Sequence, residues 1–273
     1  IDFSSIPNSY GHRPFMLKER LLTEPRIIIF YISLLLYPIS SRMTLLHDPA
    51  ISHTLFDPWT TLPSIIMIIG GVLFALRYSF KKPLWSFCII FFLLNHIVEG
   101  TFIPLELIYE HRNYIPSMFF FIPVSIVIIQ FINYFSYKHY LNYFFVFAFS
   151  ALLVMLGHTV YERNHTMRTE LSLWLDNVKK YPNLSRVHNN IGEYYWNKGF
   201  LEKACFYFNT AYQLNHEMNS TQYGVIACNL GNCFFNVARQ YDKAKLFYEE
   251  ALQLYPGDPS SYSGLGIVYL KKG

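Results

Sequence analysis

The chain has 273 residues, 52% hydrophobic and 19% aromatic but only 15% charged, with a formal net charge of +4. For a soluble protein that apolar share is high and the charge low, and no basic stripe interleaved with aromatics argues for nucleic acid as a partner. The bias is uneven: the long Ile, Leu and Phe runs fall within 27–160, whereas 161–273 reads as an ordinary soluble helical domain. Ile1 is not an initiator Met, Gly273 falls inside a repeat, and no cleavable signal is visible, so the chain reads as an internal segment of something longer.

In chain order, five apolar stretches stand at 25–39, 61–77, 83–99, 114–135 and 140–160. A spanning helix needs about 20 mostly apolar residues. The last two meet that easily, the first is short unless extended back through Leu21 and Leu22, and the second needs Thr60–Pro63 at its start. Pro38, Pro63 and Pro123 are tolerable in a membrane bundle, where neighbours satisfy the freed carbonyls. Five such runs in succession predict a membrane domain. Arg13, Lys18, Arg20 and Arg26 precede the first run, and Arg77, Lys81, Lys82 and Lys138 fall on the same side, against Arg42 and Arg112 opposite. The first side is therefore expected to be cytoplasmic. The loops 40–60 and 100–113, and everything after Tyr161, then lie outside, in a periplasm or lumen.

That outer face carries Asp48, Asp57, Glu99, Glu106 and Glu110. Asn95, His96 and Glu99 share one helix face near the outer end of the third run. They either cap the helix at the interface or line a cavity, since polar groups at membrane depth usually face a bundle interior. The stretch "ELIYEHRNYIPS" (106–117) sets Glu110, His111 and Arg112 in a row between two apolar runs. His47 and Asp48, with His53 and Asp57 nearby, suit loop capping better than metal binding, because adjacent side chains rarely converge on one ion.

In the polar half, "TELSLWLDNVKKYPN" predicts an amphipathic helix that stops near Tyr181-Pro182 and joins the last span to the remaining polar segment. From Ser185 a pattern repeats itself. Ile191-Gly192, Tyr195, Gly199, Ala204, Phe208 and Ala211 are echoed by Leu230-Gly231, Phe234, Ala244, Tyr248, Ala251 and Pro256, and a third start has Leu265-Gly266 and Tyr269. This is the tetratricopeptide (TPR) pattern of two antiparallel helices per 34 residues, with small residues allowing close approach and large ones filling the gaps. The second repeat has one extra residue near 237–239. Such arrays bind extended chains on the concave surface, which should here carry Asn190, Glu193, Asn197, Asn229, Asn232 and Asn236. The cysteines form no CxxC pair, and a disulfide from Cys205 to Cys228 or Cys233 is open outside the cell. Three N-x-S/T sequons, at Asn164, Asn183 and Asn219, are about what chance gives in an Asn-rich chain and matter only in a eukaryotic lumen.

The order of spans followed by outer TPRs resembles the transmembrane-and-TPR-containing (TMTC-type) proteins and their bacterial relatives. Glu110, Tyr114, Pro116, Ser117 and Met118, with Phe102 upstream, carry the resemblance, as does the lead-in Trp174…Pro182-Asn183. There are departures: the arginine stands one place late, as Arg112 after His111, and Glu99 is followed by Gly100. The resemblance implies a GT-C-like glycosyltransferase moving a sugar, mannose in such proteins, from a polyprenyl-phosphate donor to a protein hydroxyl. It also puts the leading catalytic acid in a loop ahead of Ile1. Such chemistry needs a carboxylate for the acceptor proton and a cation for the phosphate leaving group. Glu110, Asp48 and Glu99 are the candidate catalytic acids, and Arg112, His111 and Tyr114 the candidate lipid-phosphate ligands. No metal site is assigned, although a divalent ion would be compatible.

The expectation is therefore an all-α protein: a multi-span helix bundle of about five spans over 1–160, a connecting helix over 161–184, and TPRs over 185–273. It would sit in a bacterial inner membrane or the ER, with membrane lipid and a protein or peptide as partners. A non-catalytic TPR scaffold recruiting envelope proteins is the alternative. A lipid-linked-sugar transporter, drawn from Asn95, His96 and Glu99, is a third idea.

Overall fold

The computed structural model describes residues 10, 13–101, 103–135, 137–214 and 220–272, with backbone alone at Val98, Glu99, Ser220 and Lys272. Among the described residues the chain is all helical, with eleven α-helices and no strand. It forms two compact units that divide between His165 and Thr166, a few residues past the boundary expected at 160.

The first unit contains α1 (Leu17–Leu36), α2 (Thr61–Tyr78), α3 (Pro83–Gly100), α4 (Phe121–Tyr134) and α5 (His139–Thr166). Three segments are long and apolar enough to cross a membrane: Thr61–Tyr78, Pro116–Tyr134 and His139–Thr166. A shorter apolar helix covers Pro83–Ile97. In the apolar 18-residue stretch of each of the three long segments only 17%, 0% and 0% of the residues are buried by protein, as apolar side chains facing lipid require.

Residues 25–39 do not form the apolar span expected of them. They belong to α1, which begins with Lys18, Glu19, Arg20, Glu24 and Arg26 and is laced to loops 40–60 and 100–113 along its length. Arg20 donates to the carbonyl of Leu105, and the Thr23 hydroxyl accepts from the backbone N–H of Ser52 at 2.8 Å. Arg26 reaches Thr60 at 2.8 Å and the carbonyl of Ala50 at 2.6 Å. Further along the helix, the Tyr31 hydroxyl donates to the Tyr109 carbonyl at 3.0 Å and accepts from its N–H at 2.9 Å. Arg42 closes the far end, donating to the carbonyls of Ser33 and Tyr37 at 3.2 and 3.1 Å. Residues 105–109 thus run beside α1. Arg20 and Arg26 accordingly fall on the side of loops 40–60 and 100–113, not opposite them, because these guanidiniums serve loop carbonyls instead of water. The charge bias across the bilayer is left to Arg77, Lys81, Lys82 and Lys138.

The second unit starts with α6 (Glu170–Lys180), opened by a reciprocal cap in which Thr169 Oγ1 accepts from the N–H of Ser172 at 3.1 Å. Then come the helix pairs α7 (Ser185–Asn197) with α8 (Leu201–Gln213) and α9 (Ser220–Asn236) with α10 (Tyr241–Leu254), and finally α11 (Pro259–Lys272). The small-against-large logic holds at atomic contact. Ala204, Ala211, Ala244 and Ala251 are wholly buried. A Cβ on Gly192 would lie 2.6 Å from the Phe208 ring, and one on Gly231 2.8 Å from Tyr248. Gly266, their counterpart in the third start, meets nothing within 4 Å, and Gly264 instead seats the Tyr248 ring.

The turn between paired helices needs a left-handed residue. In the first pair Gly199 supplies it with φ +80°; in the second, the extra residue noted near 237–239 leaves Arg239 there with φ 55°. Arg239→Gly should therefore stabilise this unit by about 1 kcal/mol, seen as a raised denaturant midpoint. A lowered midpoint would mean that the Arg239 side chain contributes more than its backbone costs.

Candidate functional site

The end of the first unit that carries loops 40–60 and 100–113 is organised by Glu110, which opens a short helical turn over Glu110–Asn113. One carboxylate oxygen accepts from the backbone N–H of Thr44 at 2.6 Å and lies 3.1 Å from His47 Nε2. The other lies 3.8 Å from the guanidinium of Arg163, near the end of α5. Three segments far apart in sequence therefore meet on one carboxylate. His47 and Arg163 are 2% and 8% exposed at the side chain against 25% for Glu110, so the hub is shielded, with the carboxylate its most exposed member.

The neighbouring basic side chains sit on a different support. Arg112 donates to the carbonyl of Glu106 and lies over the Tyr109 ring, 4.9 Å from its centroid. His111 stacks on the same ring at 5.1 Å. His111 and Tyr114 are exposed, and Arg112 is half-buried. Tyr109, pinned by its backbone to Tyr31, is thus the platform for both side chains, a cation–π partner for Arg112 and a stacking partner for His111. Beneath Arg112 is a small polar recess bordered by Glu24, Tyr31, Asn95, His96 and Gly100. Arg20 pairs with Glu24 at 2.8 Å in this interior. Burial pushes the Glu24 carboxyl up to about 8, against the opposing pull of Arg20 and Arg112.

Set against the sequence, Glu110 and the His111–Arg112 pair do lie on one loop. Glu110, however, is joined to His47, Thr44 and Arg163, and Tyr109 is the residue that holds His111 and Arg112. Asp48 is exposed one residue beyond His47. The side chain of Glu99 and the whole of Phe102 and Asn219 fall outside the described residues. Asn95 donates to the carbonyl of Phe91 within its own helix at 2.8 Å, and His96 stacks on Tyr31 at 5.3 Å. Sequence reasoning missed Tyr109, Arg163 and Glu24. A lone arginine ending a 28-residue apolar helix was the available signal for Arg163. Among the described residues no group of three or more His, Cys, Asp or Glu side chains converges as a metal site would require.

In the second unit, Asn229 donates to Asn189 at 3.0 Å, and Asn189 to Glu193 at 2.8 Å, linking α7 and α9 through their polar faces. The Tyr248 hydroxyl donates to the Asn232 amide oxygen at 2.7 Å. A cavity of about 420 Å³ opens beside it, bordered by Asn232, Phe235, Asn236, Ser260, Ser263 and Ile267. Four of the six expected groove residues (Glu193, Asn229, Asn232 and Asn236) belong to these networks; Asn190 is half-buried and Asn197 exposed. Asn189 was not anticipated. Cys205 and Cys233 form a disulfide between α8 and α9, with a Cα–Cα distance of 5.5 Å, while Cys228 is free and buried.

Residues 185–217 match the tetratricopeptide repeat family. The second unit is a TPR solenoid. A curated relative, Protein O-mannosyl-transferase Tmtc3 of Drosophila melanogaster, is 29% identical over 109 residues, or 40% of this chain. The match spans 11% of that protein's length. The chain thus joins a TPR solenoid to apolar helices of membrane-spanning length and is similar in part to a protein O-mannosyltransferase.

Proposed function

We propose that this chain is part of a membrane-bound protein O-glycosyltransferase that transfers a sugar, mannose by similarity, from a polyprenyl-phosphate donor, with the TPRs engaging the acceptor protein. The observation that carries this reading is the Arg112 guanidinium and the His111 imidazole paired on the Tyr109 platform, just outside the helices of spanning length. In the reaction the acceptor hydroxyl attacks C1 of the sugar and loses its proton to a carboxylate, while the bond from C1 to the phosphate oxygen breaks. Arg112 and His111 take up the negative charge on the departing polyprenyl phosphate. Glu110 keeps the two outer loops in register with α5, and Asp48 and Glu99 are the bases this chain offers. The disulfide Cys205–Cys233 supports placing the repeats on the periplasmic or lumenal side, since such bonds persist in oxidising compartments.

The test is transfer by the full-length protein in membranes, from labelled polyprenyl-phosphate mannose to endogenous proteins. Arg112→Ala should lower transfer about 100-fold or more with membrane insertion intact. Full transfer in that variant would remove the cluster from the mechanism. No label from any of several sugar donors, with TPR-dependent capture of partner proteins, would establish the scaffold in place of the enzyme.

A further inference from the structure

The three sequons are alike in sequence and unlike in structure. Asn164 is in the last turn of α5, a helix of spanning length, next to the buried Arg163. Asn219 lies outside the described residues. Asn183 is exposed in the short connection between α6 and α7. It occupies the third position of a turn closed by the Leu184 N–H on the Tyr181 carbonyl at 3.2 Å, with Pro182 at the second position, where a proline presets the backbone. Its side chain points to no described partner, so a bulky group attached there displaces nothing.

We propose that Asn183 is an N-glycosylation site, modified with an oligosaccharide from a lipid-diphosphate donor in the compartment where Cys205 and Cys233 are oxidised. The Asn183 Nδ2 forms a bond to C1 of the first sugar, the bond from C1 to the donor's diphosphate oxygen breaks, the lipid diphosphate leaves, and one amide proton passes to the transferase. The proposal rests on the placement of the repeats outside the cytoplasm.

The hydroxyl residue of this sequon gives the modification an order in time. Ser185 is 3% exposed, and its hydroxyl donates to the carbonyl of Ala211 at the end of α8. An oligosaccharide transferase must reach that hydroxyl, and the folded repeat hides it. The sugar therefore goes on before α7 seats against α8, and the same serine afterwards ties the two helices together. Asn183 stays at the surface in the folded repeat, so the finished glycan does not oppose packing.

The experiment expresses the full chain in cultured eukaryotic cells and treats its membranes with N-glycanase, with protease protection of the TPR segment in sealed microsomes measured in parallel. One glycan's shift is expected in the wild type and in Ser185→Thr, lost in Asn183→Gln and in Ser185→Ala. Asn183→Gln is the clean variant, because it leaves the Ser185 bond to Ala211 in place. A shift that persists in Asn183→Gln would assign the sugar to another asparagine and overturn the proposal. No shift in a wild type whose repeats are protected would overturn it while sparing the lumenal placement. No shift with the repeats degraded would overturn both.

Discussion

Glu110→Ala should destabilise the outer end of the membrane unit by roughly 2–4 kcal/mol, because it strips the acceptor from a backbone N–H and two shielded basic side chains at once. Thr44 gives its N–H to this carboxylate, and Arg163 and His47 are 8% and 2% exposed. Protease sensitivity of loops 40–60 and 100–113 in membranes should rise accordingly. Glu110→Gln separates two roles for the residue. The amide oxygen still accepts from Thr44, so a carboxylate that only holds loops together loses part of its stability and transfer falls in proportion. Were Glu110 instead the group that takes the acceptor proton, Gln would abolish transfer while the loops stayed protected. The structure favours the first outcome, since both carboxylate oxygens face protein groups. Unchanged protease sensitivity in Glu110→Ala would show that the hub does not hold the loops.

How far the sequence spoke depended on the range over which each signal acts. The TPR spacing is local: Gly192 meets Phe208 and Gly231 meets Tyr248 within one helix pair, so a one-dimensional pattern recovers the packing. Length and apolarity likewise exposed the helices of spanning size. Helix α1 misled because its second half, Ile27 to Leu36, is as apolar as a span, while Arg20 and Arg26 in its first half are tied to the loops by bonds that reach across 24 to 85 residues of sequence. Loop charges were then counted on the wrong side. Glu110 could be singled out as a carboxylate at the edge of an apolar run, but its partners Thr44 and His47 stand 66 and 63 positions away, with Arg163 farther along the chain in α5. No spacing rule connects them. The groove residues fell between these cases: helical periodicity gives the polar face, but not that Asn189 replaces Asn190 at the junction of α7 and α9.

Removing the disulfide with the double variant Cys205→Ser, Cys233→Ser should cost the TPR unit about 3–4 kcal/mol, the loop-closure entropy of a crosslink with a sequence separation of 28. For a unit of this size that is a fall of roughly 10–20 °C in unfolding temperature. The bond joins the second helix of one repeat to the first helix of the next, which is where a short solenoid has least to hold it: each repeat contacts only its neighbours, and two complete repeats share a single such junction. The free thiol of Cys228 reports on this directly, being 3% exposed on α9 and flanked by Ala227 and Leu230 in the core. In the full chain in detergent, the temperature at which Cys228 begins to react with a membrane-impermeant maleimide should drop in the double variant relative to the wild type. The apolar setting of Cys88, in α3, keeps it from competing for that reagent. An unchanged labelling temperature in the double variant would mean that the native protein holds the two cysteines reduced. The oxidising environment inferred for the repeats, and with it their placement outside the cytoplasm, would then lose its chemical support.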